Sequence, residues 1–225
     1  MVATDMALRP LIKFGIRPGY VFSCETIPVD FFGDIDTERM HLVAFSCMSH
    51  INLRKWRGDM SFYNWMIKGP QYERLWQEAG TDLGFVATGN LVSTQAVAFA
   101  LGSGLKDLLL VGNDLGYKYR FYVRESIVYR NNCSRINRYT PLETFEMDSS
   151  RRGRDYRISR GPTDFYTTSQ FLAGKLWLED LFKNRNLRVY DASDPGCSEK
   201  YVAKTDLSDF FYFMEGGKKR KRRQA

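Results

Sequence analysis

The sequence predicts an α/β protein built on a doubly wound, mainly parallel sheet. Three observations lead there: short apolar runs without alternation, helical patterns between them, and strand-to-helix turns holding Gly, Asn, Asp and Ser. Uninterrupted apolar strands are the kind that helices cover on both faces.

Thr4 or Asp5 caps a short helix whose Leu8, Leu11 and Ile12 recur at helical spacing, and Gly15 closes it. Residues 20–24 (Tyr-Val-Phe-Ser-Cys) and 41–47 (His-Leu-Val-Ala-Phe-Ser-Cys) read as buried strands. Residues 71–79 read as a helix closed by Gly80. The best-defined unit is a strand at 84–88, a turn at Gly89-Asn90, a helix at 92–101 and a strand at 107–111, a βαβ unit with the usual right-handed crossover. From 112 to 161 the periodicity weakens and Arg, Tyr and Asn accumulate. A long basic loop insertion is expected there, with a short hairpin at 121–129; loops of this length are uncommon unless functional. Thr167 or Thr168 caps an amphipathic helix running to Asn184, with Phe171, Leu172, Leu176, Leu178, Leu181 and Phe182 on its apolar face. A strand at 187–190 and a short helix at 206–214 complete a single domain, 1–214, and 215–225 is expected to be a disordered basic tail.

The net charge of +7 comes largely from six consecutive basic residues, Lys218 to Arg223, so the pI near 9.2 does not mark the body as a nucleic-acid-binding domain. Within the body, 118–160 holds 11 basic and 5 acidic residues, which places the remaining positive charge on the predicted loop. Cys24, Cys47, Cys133 and Cys197 form no CxxC pair and suit reduced thiols in the cytoplasm rather than a disulfide framework or zinc site. His41 and His50 are the only histidines, so no histidine metal centre is expected. No apolar run reaches the roughly 20 residues that span a bilayer. Asp5 breaks the layout of a secretory signal.

Ligands of doubly wound sheets bind beyond the C-terminal strand ends. Three such ends carry chemistry. Glu25 follows the strand at 20–24, where a carboxylate holds a metal, a ribose hydroxyl or a proton, or simply forms a salt bridge. At Gly89, Asn90, Ser93 and Thr94, a glycine turn opens a helix whose free N–H groups and hydroxyls suit a phosphate or carboxylate; an ordinary βα turn has the same look. Gly112-Asn113-Asp114 runs out of the strand at 107–111 toward Tyr117 and leaves Asp114 at the sheet crest, to bind a hydroxyl or to form an Asx turn.

Four blocks then carry a family resemblance. The segment 7–25 (ALRPLIKFGIRPGYVFSCE), the segment 89–117 (GNLVSTQAVAFALGSGLKDLLLVGNDLGY), Ser126 with Tyr129, and the segment 163–196 resemble, in order, blocks of the motility accessory factor glycosyltransferases, which share their domain with 6-hydroxymethylpterin diphosphokinase-like proteins. The resemblance implies a Rossmann-like, nucleotide-binding cytoplasmic transferase. In the motility branch this is a glycosyltransferase moving a nonulosonic acid from a CMP-sugar to Ser or Thr of flagellin. In the pterin branch it is diphosphate transfer from ATP, with Mg²⁺, to a hydroxymethyl pterin. The family's first strand and glycine-rich turn precede the block matching Ala7, so the chain is expected to lack both. Pro195-Gly196 stands where the family has Gly-Gly.

On this resemblance Gly89, Asn90, Ser93, Thr94, Gly112, Asp114, Tyr117, Ser126 and Tyr129 are the donor-binding candidates. Glu25, Asp114 and His50, in that order, are candidates for the base. Arginines of 118–160 are expected to close over the leaving group. The competing reading is an inactive module that binds a partner, or nucleic acid through its basic and aromatic loop, with nucleic acid the less expected partner.

Overall fold

A computed structural model describes residues 1–65, 74, 78, 84–117, 124–145, 156–160, 163–183 and 186–214. Within them the protein is a mixed α/β fold whose main ladders are parallel, consistent with a Rossmann-like architecture. The elements are β1 (Val2–Thr4), α1 (Asp5–Lys13), β2 (Tyr20–Ser23), β3 (His41–Phe45), α2 (His50–Lys55), β4 (Met60–Tyr63), α3 (Val92–Gly102), β5 (Asp107–Leu110), α4 (Ile127–Cys133), β6 (Tyr156–Arg160), β7 (Thr163–Thr167), α5 (Ser169–Lys183), β8 (Arg188–Asp191), β9 (Ala203–Lys204) and α6 (Leu207–Met214).

The described strands fall into two parallel sheets, ordered β1-β2-β3-β4 and β5-β8-β9, with β6 and β7 as an antiparallel pair. The first sheet explains its own apolar sequence. Val21, Leu42 and Ala44 point into one core with Leu8, Phe32 and Trp56, while Phe22 and Val43 point into another with Tyr63, so β2 and β3 are buried on both faces. Helix α3 is apolar around most of its circumference because it serves two cores. Its Val92 and Ala96 pack on the Phe22 side of the first sheet, and its Val97 and Leu101 pack with Leu110, Val189 and Leu178 of β5, β8 and α5.

Several expectations are corrected. A strand, β1, precedes α1 and pairs in parallel with β2, Ala3 opposite Val21. The strand expected at 84–88 is reduced to one bridge, Phe85 with Asn64, because its neighbours Thr88, Gly89 and Asn90 turn away through hydrogen bonds of their own. Of the stretch 121–129 where a hairpin is expected, 121–123 lie outside the described residues and α4 begins at Ile127, capped by the Ser126 hydroxyl, which accepts the Tyr129 N–H at 3.2 Å. The antiparallel pair lies further on, at β6 and β7. The expected basic loop lies partly outside the described residues, and 124–145 is structured around α4. The helix at 71–79 and the tail 215–225 also lie outside them, apart from residues 74 and 78. Among the described residues no helix is long and apolar enough to cross a membrane.

On α5, Leu178 is fully buried whereas Leu176, expected on the apolar face, is 58% exposed. Leu178→Ala should therefore cost about 2–5 kcal/mol in urea unfolding, against about 0.5 kcal/mol or less for Leu176→Ala.

Candidate functional site

A cleft of about 540 Å³ opens at the C-terminal ends of the first sheet, lined by Cys24, Trp65, Thr88, Asn90, Gln95, Ser169, Gln170 and Ala173. The first two follow β2 and β4. Thr88 and Asn90 form the turn before α3, Gln95 lies in the first turns of α3, and the last three open α5. This is the strand-end position at which such sheets bind ligands.

Close packing holds the cleft's two walls together. A Cβ on Gly89 would stand 2.9 Å from Cβ and Cγ of Trp177, and one on Gly174 would strike the Leu91 side chain, so both glycines let α5 lie against the turn before α3. Across this contact the Gln170 amide donates to the Asn90 carbonyl at 2.8 Å. Asn90 itself takes a left-handed backbone, φ 66°, a conformation that Asn tolerates better than most residues.

The internal bonding of the turn changes the roles expected for its residues. The fully buried Thr94 hydroxyl accepts the Gly89 N–H at 2.8 Å and donates to the Leu91 carbonyl at 2.6 Å, so Gly89 and Thr94 build the turn rather than hold a ligand. Ser93 sits at the start of α3, half-buried, and does not line the cleft; Asn90 does. Among the described residues the N–H groups of Val92 and Ser93 in α3, and of Ser169 and Gln170 in α5, have no acceptor. Ser169 and Gln170 bring the positive N-terminal end of α5 to the cleft, beside the turn at 88–90 that leads into α3. Gln95, absent from the expected set, is buried and bonded on both sides. It accepts from the Tyr63 hydroxyl at 2.5 Å and donates to Thr88 Oγ1 at 3.2 Å. Trp65 packs its ring on Phe45, with centroids 5.5 Å apart, and its buried indole N–H has no acceptor among the described residues.

Acidic residues gather beside the cleft. Glu25 is half-buried, and burial raises its pKa above the usual carboxylate range. Its carbonyl accepts the Ser49 N–H at 2.9 Å, which puts the start of α2 beside it, while His50 is exposed. Asp5 was expected only as a cap; it is 5% exposed at the end of β1. It accepts the Ser23 hydroxyl at 2.5 Å and the Met6 N–H at 2.7 Å. Burial, reinforced by the nearby Glu25 charge, outweighs those bonds and pushes its pKa up to about 6. The Cys24 thiol is likewise pushed up to about 12, by burial first and then by Asp5 and Glu25, which keeps it protonated near neutrality.

Gly112, Asp114 and Tyr117 lie apart from this cleft, after β5 of the second sheet. Asp114 accepts the Asp194 N–H at 3.1 Å and burial raises its pKa; its carbonyl accepts the Gly196 N–H at 2.8 Å. Gly112 has a left-handed φ of 64° in the same turn. Tyr117 is tied to Tyr166 by a pair of 2.8 Å backbone bonds, its ring stacked on that of Tyr166. Beside them the buried Asp191 is held by Lys204 Nζ at 2.8 Å and by the N–H groups of Ser193 and Cys197, a bonding pattern that fixes the loop. Ser126 is a helix cap and Tyr129 a residue of α4, whose Ile127 packs on the Leu8 core. No described arginine of 118–160 lines the cleft. Arg130 faces Arg9 in a smaller cavity, and Arg135 and Arg138 lie over Phe145 and Tyr139. Among the described residues no three His, Cys, Asp or Glu side chains are grouped to hold a metal ion.

A model of the family described as 6-hydroxymethylpterin diphosphokinase MptE-like matches residues 1–120. The chain belongs to that family. Its domain is that of the motility accessory factors, the family that the residue blocks resemble. The MptE-like match spans β1 to Tyr117 and so includes Asp5, Glu25 and five of the cleft's residues, while α5 supplies the others. No curated protein and no solved structure matches the chain.

Because folding raises the Asp5 pKa from 3.8, the folded protein holds that proton to higher pH than the unfolded chain does. Its contribution is fully present below pH 4 and is lost as pH rises through about 6, a change of up to about 3 kcal/mol. Asp5→Asn should remove that part of the pH dependence, read by urea unfolding at pH 4 and pH 7.

Proposed function

We propose that the protein is a nucleotide-dependent transferase that moves a nonulosonic acid from a CMP-sugar to a Ser or Thr hydroxyl of a protein acceptor such as flagellin. The observation that carries this reading is the character of the cleft: its described lining holds no charged side chain, yet the N-terminal turn of α5, Ser169 and Gln170, opens onto it. A CMP-sugar brings one bridging phosphate and one sugar carboxylate, each suited to a set of helix N–H groups. The choice of sugar and acceptor rests on the family resemblance.

In the proposed reaction the acceptor hydroxyl oxygen attacks the anomeric carbon. The bond from that carbon to the phosphate oxygen breaks, and CMP leaves with the electron pair. Glu25 takes the hydroxyl proton, a task helped by the rise that burial gives its pKa. The N–H groups at the start of α5 receive the charge that develops on the leaving phosphate. Cys24, protonated near neutrality, is unsuited to act as the nucleophile.

A second reading, ATP-dependent diphosphate transfer to a hydroxymethyl pterin with Mg²⁺, is favoured by the family's description. A triphosphate carries several charges and is normally met by Lys or Arg as well as its metal ion, and the described lining holds neither Lys nor Arg.

Calorimetry separates the two: CMP should bind measurably without added metal, and more tightly than ATP. Tighter ATP binding that requires Mg²⁺ would favour the second reading. With a CMP-sugar donor, turnover should fall as pH drops through the raised Glu25 pKa. Glu25→Gln should lower kcat by about 10²–10⁴ with little effect on CMP affinity.

A further inference from the structure

We infer that the cavity between α1 and α4 is a second binding site, which takes a phosphate group between Arg9 and Arg130. It shares no lining residue with the cleft, so it stands apart from the nucleotide reading given above. The cavity measures about 270 Å³ and lies between Arg9 of α1, the loop after β2 at Asp30, Gly33 and Asp34, and Arg130 and Asn131 of α4. Arg9 is aimed by its anchor. Its Nη2 donates to the Gly33 carbonyl at 2.7 Å and to that of Phe31 at 3.4 Å. Its Nη1 makes no hydrogen bond and, unlike Nε, is not enclosed, so it is open to a ligand.

Although two carboxylates line the same cavity, neither guanidinium forms an ion pair among the described residues. Asp30 closes its own turn instead, its Oδ1 accepting the Gly33 N–H at 2.6 Å. Burial first, and then the Arg130 charge, lower the pKa of Arg9, and the opposing effects of Asp34 and Asp30 are smaller. Two like charges thus face one cavity with their repulsion uncompensated, and an anion between them removes it. A phosphate monoester carries close to two negative charges at neutral pH, one for each arginine, where a carboxylate carries one. Bound there it also ties α4 to α1, across a junction already marked by Ile127 on the Leu8 core and by the ion pair of Lys13 with Glu125.

Inorganic phosphate titrated into the full chain at low ionic strength should bind by calorimetry, and more tightly than acetate. Arg130→Gln should weaken phosphate binding about ten-fold, whereas Arg135→Gln, outside the cavity, should leave it unchanged. Arg130 is exposed on α4, so the variant should fold, with a thermal midpoint in phosphate-free buffer equal to or above that of the wild type. Phosphate should also slow amide exchange across 127–133 in the wild type and not in Arg130→Gln. Equal phosphate affinity in those two proteins, or exchange in α4 that phosphate leaves unchanged, would overturn the site. So would an equal loss in Arg135→Gln, which would mark general attraction to a basic surface.

Discussion

The approach of α5 to the turn before α3 is the constraint on which the rest of the molecule depends. It requires glycine at 89, under Trp177, and at 174, under Leu91. Through it the core that joins β5, β8 and α5 meets α3, and α3 in turn covers the first sheet. The same contact sets the N-terminal turn of α5 opposite the turn at 88–90, which closes one side of the cleft. Any side chain at 89 would have to displace the base of the Trp177 side chain, so that glycine serves packing first.

That constraint also separates the two strand-end regions chemically. At the first sheet the carboxyls of Asp5 and Glu25 are buried or half-buried without a cation beside them, and their pKa values rise. At the second, burial raises the pKa of Asp114 too, but its carboxyl accepts the Asp194 N–H, and in the same loop the carboxylate of Asp191 is met by Lys204 and two N–H groups. Groups whose bonding is complete hold structure. Carboxyls under desolvation beside an open cleft are the ones available for proton transfer.

Much of this was legible in the sequence, for identifiable reasons. β2 and β3 announce themselves because burial on two faces demands uninterrupted apolar residues, as at Val21, Phe22, Leu42 and Val43, and α3 and α5 because their apolar residues recur at helical spacing. β4 hid because Met60 and Phe62 are exposed, and β1 because three residues show no period. Asp5 reads as a helix cap in one dimension; only the pairing of β1 with β2 places it against Ser23. Gly89 and Thr94 read in the sequence as a glycine turn opening a helix, but their use for the turn's own hydrogen bonds depends on packing against α5, some 80 residues away. Trp65 and Gln95 carry no local signal, since an unpaired indole and a doubly bonded amide are properties of tertiary neighbours.

The claim that the cleft of the first sheet is the ligand site is tested most directly by amide hydrogen exchange with and without CMP. Ligand in the cleft should slow exchange in two stretches, the turn and start of α3 at 88–95 and the start of α5 at 169–173. Protection centred instead on 112–117 and 193–197, or no change at saturating CMP, would contradict the account.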